Sequence, residues 1–266
     1  MKAALLGYPR CQAARVSDWD GHGTIFPINP VQPSSVTPIL LMKPRHTLAQ
    51  THLPDGTPLV LQEHDGRHYL IVQGQQIAGP ATEGAEAELA RLACAPFRPA
   101  RQPKVFLVGL ALGHTLAGVA AALPQKRATF FVAEPLADLP LWHRAHLPAS
   151  PLNTDSRVTI EPDPGPSGLA RHAGSLHAIT LHLDASPTTE RNRPWIDDRR
   201  WLAAAYEALQ AGGLLAIAAA RPIPSLTRRL QRAGFAVAEH LIPLAPNAKK
   251  TRLQPIWLAR KGKAFE

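Results

Sequence analysis

Lys104-Val105-Phe106-Leu107-Val108-Gly109-Leu110-Ala111-Leu112-Gly113-His114-Thr115 sets a continuous apolar run against two glycines four residues apart. A run of Val, Phe and Leu without polar alternation is what a strand buried on both faces requires, and such strands belong to parallel sheets covered by helices. Glycine at the end of the run lets the backbone turn sharply and come close to a ligand. The spacing is not the dinucleotide pattern G-x-G-x-x-G, because Ala111 stands at its second glycine and Gly118 comes too late. Taken alone, small residues that let a helix pack on a strand explain the stretch equally well.

Downstream, the same alternation repeats. Thr129–Ala133, Arg157–Ile160, Ala178–Leu183 and Leu214–Ile217 read as further buried strands. Between the last two, Asp197 to Ala211 reads as a helix with Asp197 as N-cap, Trp201, Leu202, Ala205 and Leu209 inward, and Gly212-Gly213 as its stop. A second helix runs from Ser225 to Ala233. Two closing strands, Phe235–Ile242 and Pro255–Ala259, flank a basic loop with Lys249, Lys250 and Arg252. Seven strands with intervening helices mean an α/β, doubly wound, Rossmann-like sheet across residues 104–266.

Upstream the pattern differs. Residues 1–45 carry prolines at 9, 27, 30, 33, 38 and 44 and read as an irregular lead, which a start at Met42 would leave untranslated. Residues 46–103 read as a small β domain: Leu59–Leu61 and Tyr69–Val72 are joined by a turn at His64-Asp65-Gly66-Arg67, and a helix over 83–95 connects onward.

The 266 residues, 45% hydrophobic and 18% charged, suffice for one large domain or two small ones, which excludes fibrous and wholly disordered classes. Two cysteines without metal-ligand spacing point to a reducing, cytoplasmic setting. Lys104–Leu123 holds three glycines and His114 and is too weakly apolar to span a membrane. The net charge of +9 is unevenly placed: residues 1–103 carry nine basic and eight acidic groups, 104–220 ten and ten, and 221–266 ten and two. A solvated basic edge is preferred there over a nucleic-acid surface.

In doubly wound sheets, ligands bind beyond the carboxyl ends of the strands. Glu134 ends the second strand, 25 residues past Gly109, where a carboxylate can accept from both hydroxyls of a ribose. Asp163 follows the third strand and suits the exocyclic amine of an adenine. Asp184 ends the fourth and can bind a cationic amine or take its proton.

A small β domain leading through a helix into Gly109–Gly113, Glu134, the Asp155-x-Arg157-Val158 to Asp163 unit and Asp184 resembles the spermidine synthase family, polyamine aminopropyltransferases on a class I methyltransferase-like fold. The resemblance spans roughly Leu48 to Lys263. It implies a metal-free transfer of an aminopropyl group from decarboxylated S-adenosylmethionine to an amine, with a homodimer formed through the β domain. By the match, Gly109, Ala111 and Gly113 lie under the donor, Glu134 holds its ribose, Asp163 its adenine, and Asp184 is the catalytic base.

The chain departs from that pattern in three places. Leu112 replaces an acid of the glycine-rich turn; Ser186 stands before Pro187 where a second Asp is usual; and Glu86-Ala87-Glu88 replaces a tyrosine-glutamine-glutamate triplet, with only Glu88 corresponding. Two other readings therefore stand beside aminopropyl transfer: methylation from S-adenosylmethionine, or non-catalytic binding of a nucleoside or polyanion. His143 and His146, three apart on a helix, read as surface histidines because nothing completes a metal site. Ser167 and Ser186 lack a nucleophile elbow. Asp197-Asp198 reads as a cap, and Trp195 and Trp201 as core before pocket wall.

Overall fold

Strand β1 (His46–His52) pairs antiparallel with β2 (Pro58–His64), β2 with β3 (Arg67–Val72), and β3 with β4 (Gln75–Ala78). In the computed structural model, residues 44–185, 193–243 and 253–262 are described, all within the unit Lys43–Glu266. The proline-rich lead, Ser186, Pro187 and the basic loop lie outside them. Asp65 and Gly66 both take positive φ, 51° and 73°, which is the two-residue turn whose twist matches a hairpin, and His64 faces Arg67 across it as the sequence implies. Leu59, Leu61 and Leu70 point inward and are buried.

Helix α1 (Pro80–Cys94) begins three residues earlier than its apolar spacing suggests, because Pro80 supplies the first-turn φ and lacks an N–H that would go unpaired there. Its buried face carries Ala85, Glu86, Leu89, Ala90 and Ala93.

The second sheet begins with β5 (Lys104–Val108), followed by α2 (His114–Ala122), β6 (Thr129–Ala133), α3 (Asp138–His146), α4 (Pro151–Thr154), β7 (Val158–Glu161), α5 (Pro166–Ala170) and β8 (Leu176–His182). After it come α6 (Arg199–Ala208), β9 (Leu209–Ala218), α7 (Leu226–Arg232), β10 (Phe235–Pro243) and β11 (Leu253–Lys261). The spatial order is β10-β11-β9-β8-β5-β6-β7, parallel from β7 to β9 and antiparallel at β11. This is the expected seven-stranded, class I methyltransferase-like α/β architecture. Along β5 the side chains alternate between two cores: Val105 and Leu107 pack with α1 and α2, Phe106 and Val108 with the layer of α6 and α7. Chain order reverses between β5 and β8, so the crevice of the fold opens at their carboxyl ends.

Three local readings are corrected. Helix α6 stops at Ala208, because Leu209 is fully buried and pairs with Leu176 as the first residue of β9. Gly212, at φ 77°, lies inside β9 where its register with β8 shifts, so the glycine pair makes a strand irregularity rather than a helix stop. The cap is Asp198, whose carboxylate accepts from the Arg200 N–H at 2.8 Å, while Asp197 is paired with Arg229. Arg157 precedes β7 instead of starting it. Its guanidinium binds Asp155 at 2.6 Å and donates to the carbonyls of Leu123 and Gln125 beyond the end of α2, stacking on Phe130.

Helix α2 rests on α1 at a close approach: a Cβ on Gly118 would lie 2.7 Å from Ala90 Cβ. Gly118→Val is therefore expected to destabilise the protein by ~1–3 kcal/mol through overpacking, read as a lower urea midpoint at an unchanged slope.

Candidate functional site

The described residues include seven buried polar or charged side chains: Glu86, Glu134, His143, Ser150, Thr180, His182 and Gln254. Burying such groups is unfavourable unless they are bonded, so their placement is informative. Six of them bear on the turn after β5 or on the cavity beneath it, Ser150 through His143, and the seventh, Gln254, lies 3.4 Å from His182.

The turn itself is tightly constrained. Gly109 (φ 91°) donates its N–H to Ala133, and Gly113 (φ 80°) donates to Leu110 and starts α2. A side chain on Gly113 would crowd the His143 ring at 3.0 Å, so both its φ and its surroundings require glycine. Ala111 holds φ 46° with no such exemption. Its carbonyl accepts from His143 Nε2 at 2.9 Å, and His143 Nδ1 lies 2.7 Å from Ser150 Oγ. A carbonyl can only accept, which fixes the proton on Nε2 and makes Ser150 the donor to Nδ1. Burial keeps the His143 pKa below its ordinary value against the pull of the Ala111 carbonyl. His143 is fully buried, which corrects the expectation of a surface histidine: the ring is a fixed prop for the turn.

Glu134 sits at the end of β6, 5% exposed. Its two oxygens accept from the Leu110 and Leu136 N–H groups, each at 2.9 Å. Burial pushes its carboxyl up to about 7 despite those donors. Asp163, beyond β7, accepts from the Gly165 N–H at 2.7 Å, with the Trp195 ring beside Gly165. Trp201 is fully buried and donates to the Pro164 carbonyl, as the core reading expects, and Trp195 tilts against it at 6.5 Å. Asp184 is exposed just past β8 and accepts from the Ala220 N–H at 2.7 Å, which ties the ends of β8 and β9 together.

A cavity of about 10 Å³, room for one water molecule, opens between β5 and β8. Gly109, Leu110 and Ala111 line one side, Thr180, His182 and Ala185 another, and Glu86 and Thr115 close it. Gly109 and Ala111 thus meet the strand end that carries Asp184.

The sequence does not single out Glu86, because the resemblance matches Glu88 to the family's acid. Glu88 is turned outward and bonds Arg91 at 2.6 Å. Glu86 shares the α1 face of Leu89, Ala90 and Ala93, a helical spacing that marks it as inward-facing. Its carboxylate accepts from the Thr115 N–H (3.2 Å) and hydroxyl (3.0 Å) and from the Thr82 hydroxyl (2.9 Å), with His114 Nδ1 at 3.7 Å. Burial acts to raise its pKa, but the His114 ring, the charge of His182 and the Thr82 hydroxyl outweigh it and leave the pKa below the ordinary value. His114 is the mirror case: burial lowers its pKa, and Glu86 more than offsets that. Thr180 and His182 carried no signal beyond strand alternation.

No family model and no curated protein sequence matches the chain. Solved structures do. The spermidine synthase of Thermotoga maritima aligns at TM-score 0.63 and 16% identity over 81% of this chain and 73% of its own. A spermidine synthase in complex with the transition state analogue AdoDATO aligns at 0.61 and 15%, over 81% and 72%. A probable spermidine synthase from Corynebacterium glutamicum aligns at 0.59 and 14%, over 83% and 81%. The chain shares its fold with spermidine synthases. Among the described residues, no helix is long and apolar enough to cross a membrane, and no group of three His, Cys, Asp or Glu side chains is placed to hold a metal ion.

With a pKa of about 7 folded and 4.5 as the ordinary value, Glu134 binds more protons folded than unfolded across that interval. Its contribution to stability is full below pH 4.5 and falls as pH rises through 7. Carboxyl ¹³C NMR should show a group with its midpoint near 7 that Glu134→Gln removes. Between pH 4.5 and 8, the unfolding free energy of the wild type should fall relative to the variant by on the order of 2–3 kcal/mol.

Proposed function

We propose that the crevice binds an S-adenosyl co-substrate and that the chain is a transferase, passing the aminopropyl group of decarboxylated S-adenosylmethionine to an amine. The observation that carries this reading is the gathering of six of the seven buried polar side chains among the described residues at the crevice where doubly wound sheets take their ligands. The shared fold with spermidine synthases, one of them solved with AdoDATO, supports it.

In this reading Gly109, Ala111 and Gly113 pass beneath the donor. Glu134 reaches the ribose with the second lone pair of each oxygen, the first pairs being taken by Leu110 and Leu136. Asp163 receives the adenine amine beside Trp195. The acceptor nitrogen attacks the propyl carbon bonded to the sulfonium sulfur; the C–N bond forms as the C–S bond breaks, and its electron pair returns to sulfur, leaving methylthioadenosine. Asp184 takes the proton from the attacking nitrogen. The Ala220 N–H orients that carboxylate. One residue favours the methyltransferase alternative: Leu112, 7% exposed, offers the donor's amine no acid from the turn.

Asp184→Asn keeps the side chain's volume and removes the proton acceptor. It is expected to lower aminopropyl transfer at least ~100-fold, measured as methylthioadenosine released in the presence of a diamine panel, while methylthioadenosine affinity stays within about twofold. Transfer that survives the change would remove Asp184 from the role of base. If the wild type forms S-adenosylhomocysteine from S-adenosylmethionine instead, the methyltransferase alternative takes its place.

A further inference from the structure

From Pro194 to Arg232, across α6 and α7, the chain carries six arginines and three acids. The acids are engaged or remote: Asp197 is paired with Arg229, Asp198 accepts from the Arg200 N–H at 2.8 Å, and Glu207 sits at the far end of α6. Of the arginines only Arg229 is spent on an acid. Arg199, Arg200, Arg221, Arg228 and Arg232 are exposed, and among the described residues none of these five pairs with a carboxylate. A face kept only for solvation ordinarily mixes the two signs, whereas α7 has three arginines and no acid.

Three bonds bring these arginines together at the rim of the crevice. Arg229 reaches from α7 to Asp197, so Arg228 and Arg232 stand on the helix beside the first turn of α6, where Arg199 and Arg200 lie. The Ala220 N–H holds Asp184, which sets Arg221 next to the candidate base. The Ala219 N–H meets the Pro255 carbonyl, so the chain leaves β10 at Pro243 and returns to β11 at Leu253 along this same edge, and the sequence between them adds Lys249, Lys250 and Arg252. Exposed charge of one sign spread over two helices exceeds what a small anion needs, since one or two guanidiniums would hold it. It matches a ligand whose own charges repeat. Arginine suits phosphodiesters in particular, because its planar fork gives two parallel N–H groups to phosphate oxygens. A lipid surface matches less well. Binding there needs an apolar face, and the exposed large apolar side chains among the described residues are Leu141, Leu241 and Leu253, none of them on α6 or α7.

We infer that the face formed by α6 and α7 binds the phosphate backbone of a nucleic acid and leads it to the crevice mouth beside Asp184. This binding goes beyond the proposed transfer and does not depend on it. It replaces the plain solvated edge that counting charges along the sequence favours. Each guanidinium that meets a phosphate releases a counterion, so affinity falls with salt in proportion to the number of contacts. Contacts of this kind fix the strand's position and carry no base sequence.

The test is fluorescence-anisotropy titration of short single-stranded RNA, duplex RNA and duplex DNA with the full chain at salt between about 50 and 200 mM, alongside sedimentation with phosphatidylserine vesicles. Two double variants remove the rim charges, Arg199→Gln with Arg200→Gln and Arg228→Gln with Arg232→Gln. A third, Lys126→Gln with Arg127→Gln, removes the same charge from exposed side chains ahead of β6, at the opposite edge of the sheet. Arg229 stays in place to keep its bond to Asp197, and all the replaced side chains are exposed, so the urea midpoints should not move. Wild type is expected to bind at least one nucleic acid with a Kd below about 100 µM. Each rim pair should weaken that binding on the order of tenfold and flatten the slope of log K against log salt by roughly 1.4–1.8, two contacts' worth, while the third variant changes affinity less than about threefold. The inference is overturned if no nucleic acid binds, and vesicles binding in their place would make the partner a membrane. It is overturned equally if the rim pairs cost no more than the pair at the opposite edge, in which case the affinity belongs to the net charge of the chain and not to this face.

Discussion

The carboxylate of Glu86 joins α1 to the first turn of α2, accepting the Thr115 N–H and hydroxyl in a setting 2% exposed to solvent. A charge so placed is tolerated only because its bonds are supplied: Thr82 from its own helix, Thr115 from the next, and His114 close by. The consequences spread outward. Because α1 must bring this carboxylate to α2, the two helices meet at Gly118 and Ala90 with no room for another carbon. Because Thr115 is fixed, the turn from Gly109 to Gly113 is held at its far end, while Glu134 holds it at Leu110. Sheet, turn and connecting helix are thus referenced to one buried anion.

Between those anchors, Ala111 occupies a backbone conformation that an L side chain adopts at a cost of about 1–2 kcal/mol. His143 bears on that residue's carbonyl, and is itself fixed by Ser150. The turn is therefore preorganised by packing on three sides, from α1, from β6 and from α3, before any ligand arrives. Preorganisation of this kind moves the cost of ordering a binding loop from the binding step to folding.

Where a side chain's neighbours in sequence decide its fate, the sequence was readable. The buried run Val105–Val108, the Asp65-Gly66 hairpin turn and the glycines after β5 all announce themselves over a few residues, and they are enough for the doubly wound sheet and the location of its crevice. Leu209 is not assignable locally because a helix and a buried strand both want an inward leucine there, and the choice is made by its pairing with Leu176, distant in sequence. The burial of His143 is not legible in the sequence because its partners, Ala111 and Ser150, belong to a turn and a helix start that only the fold brings to it. Glu86 is half legible: its spacing from Leu89, Ala90 and Ala93 is plain, yet acids are so seldom buried that an inward-facing one is not expected from spacing alone. The positions of Glu134, Asp163 and Asp184 at strand ends follow from the alternation alone.

Strand β11 lies between β9 and β10, so β10 finds no partner in the sheet until residues 253–261 have been synthesised. During translation the parallel strands β5 to β9 can associate first, leaving β9 with a bare edge and β10 waiting. The sheet then closes by insertion of a late strand rather than by growth at its rim. Contacts of that kind bring distant stretches of chain together and are slow to form. The exposed edge of β9, with Leu214, Leu215 and Ile217 along it, is the place where a nascent chain would pair wrongly with a neighbour, and where a chaperone would have most to shield.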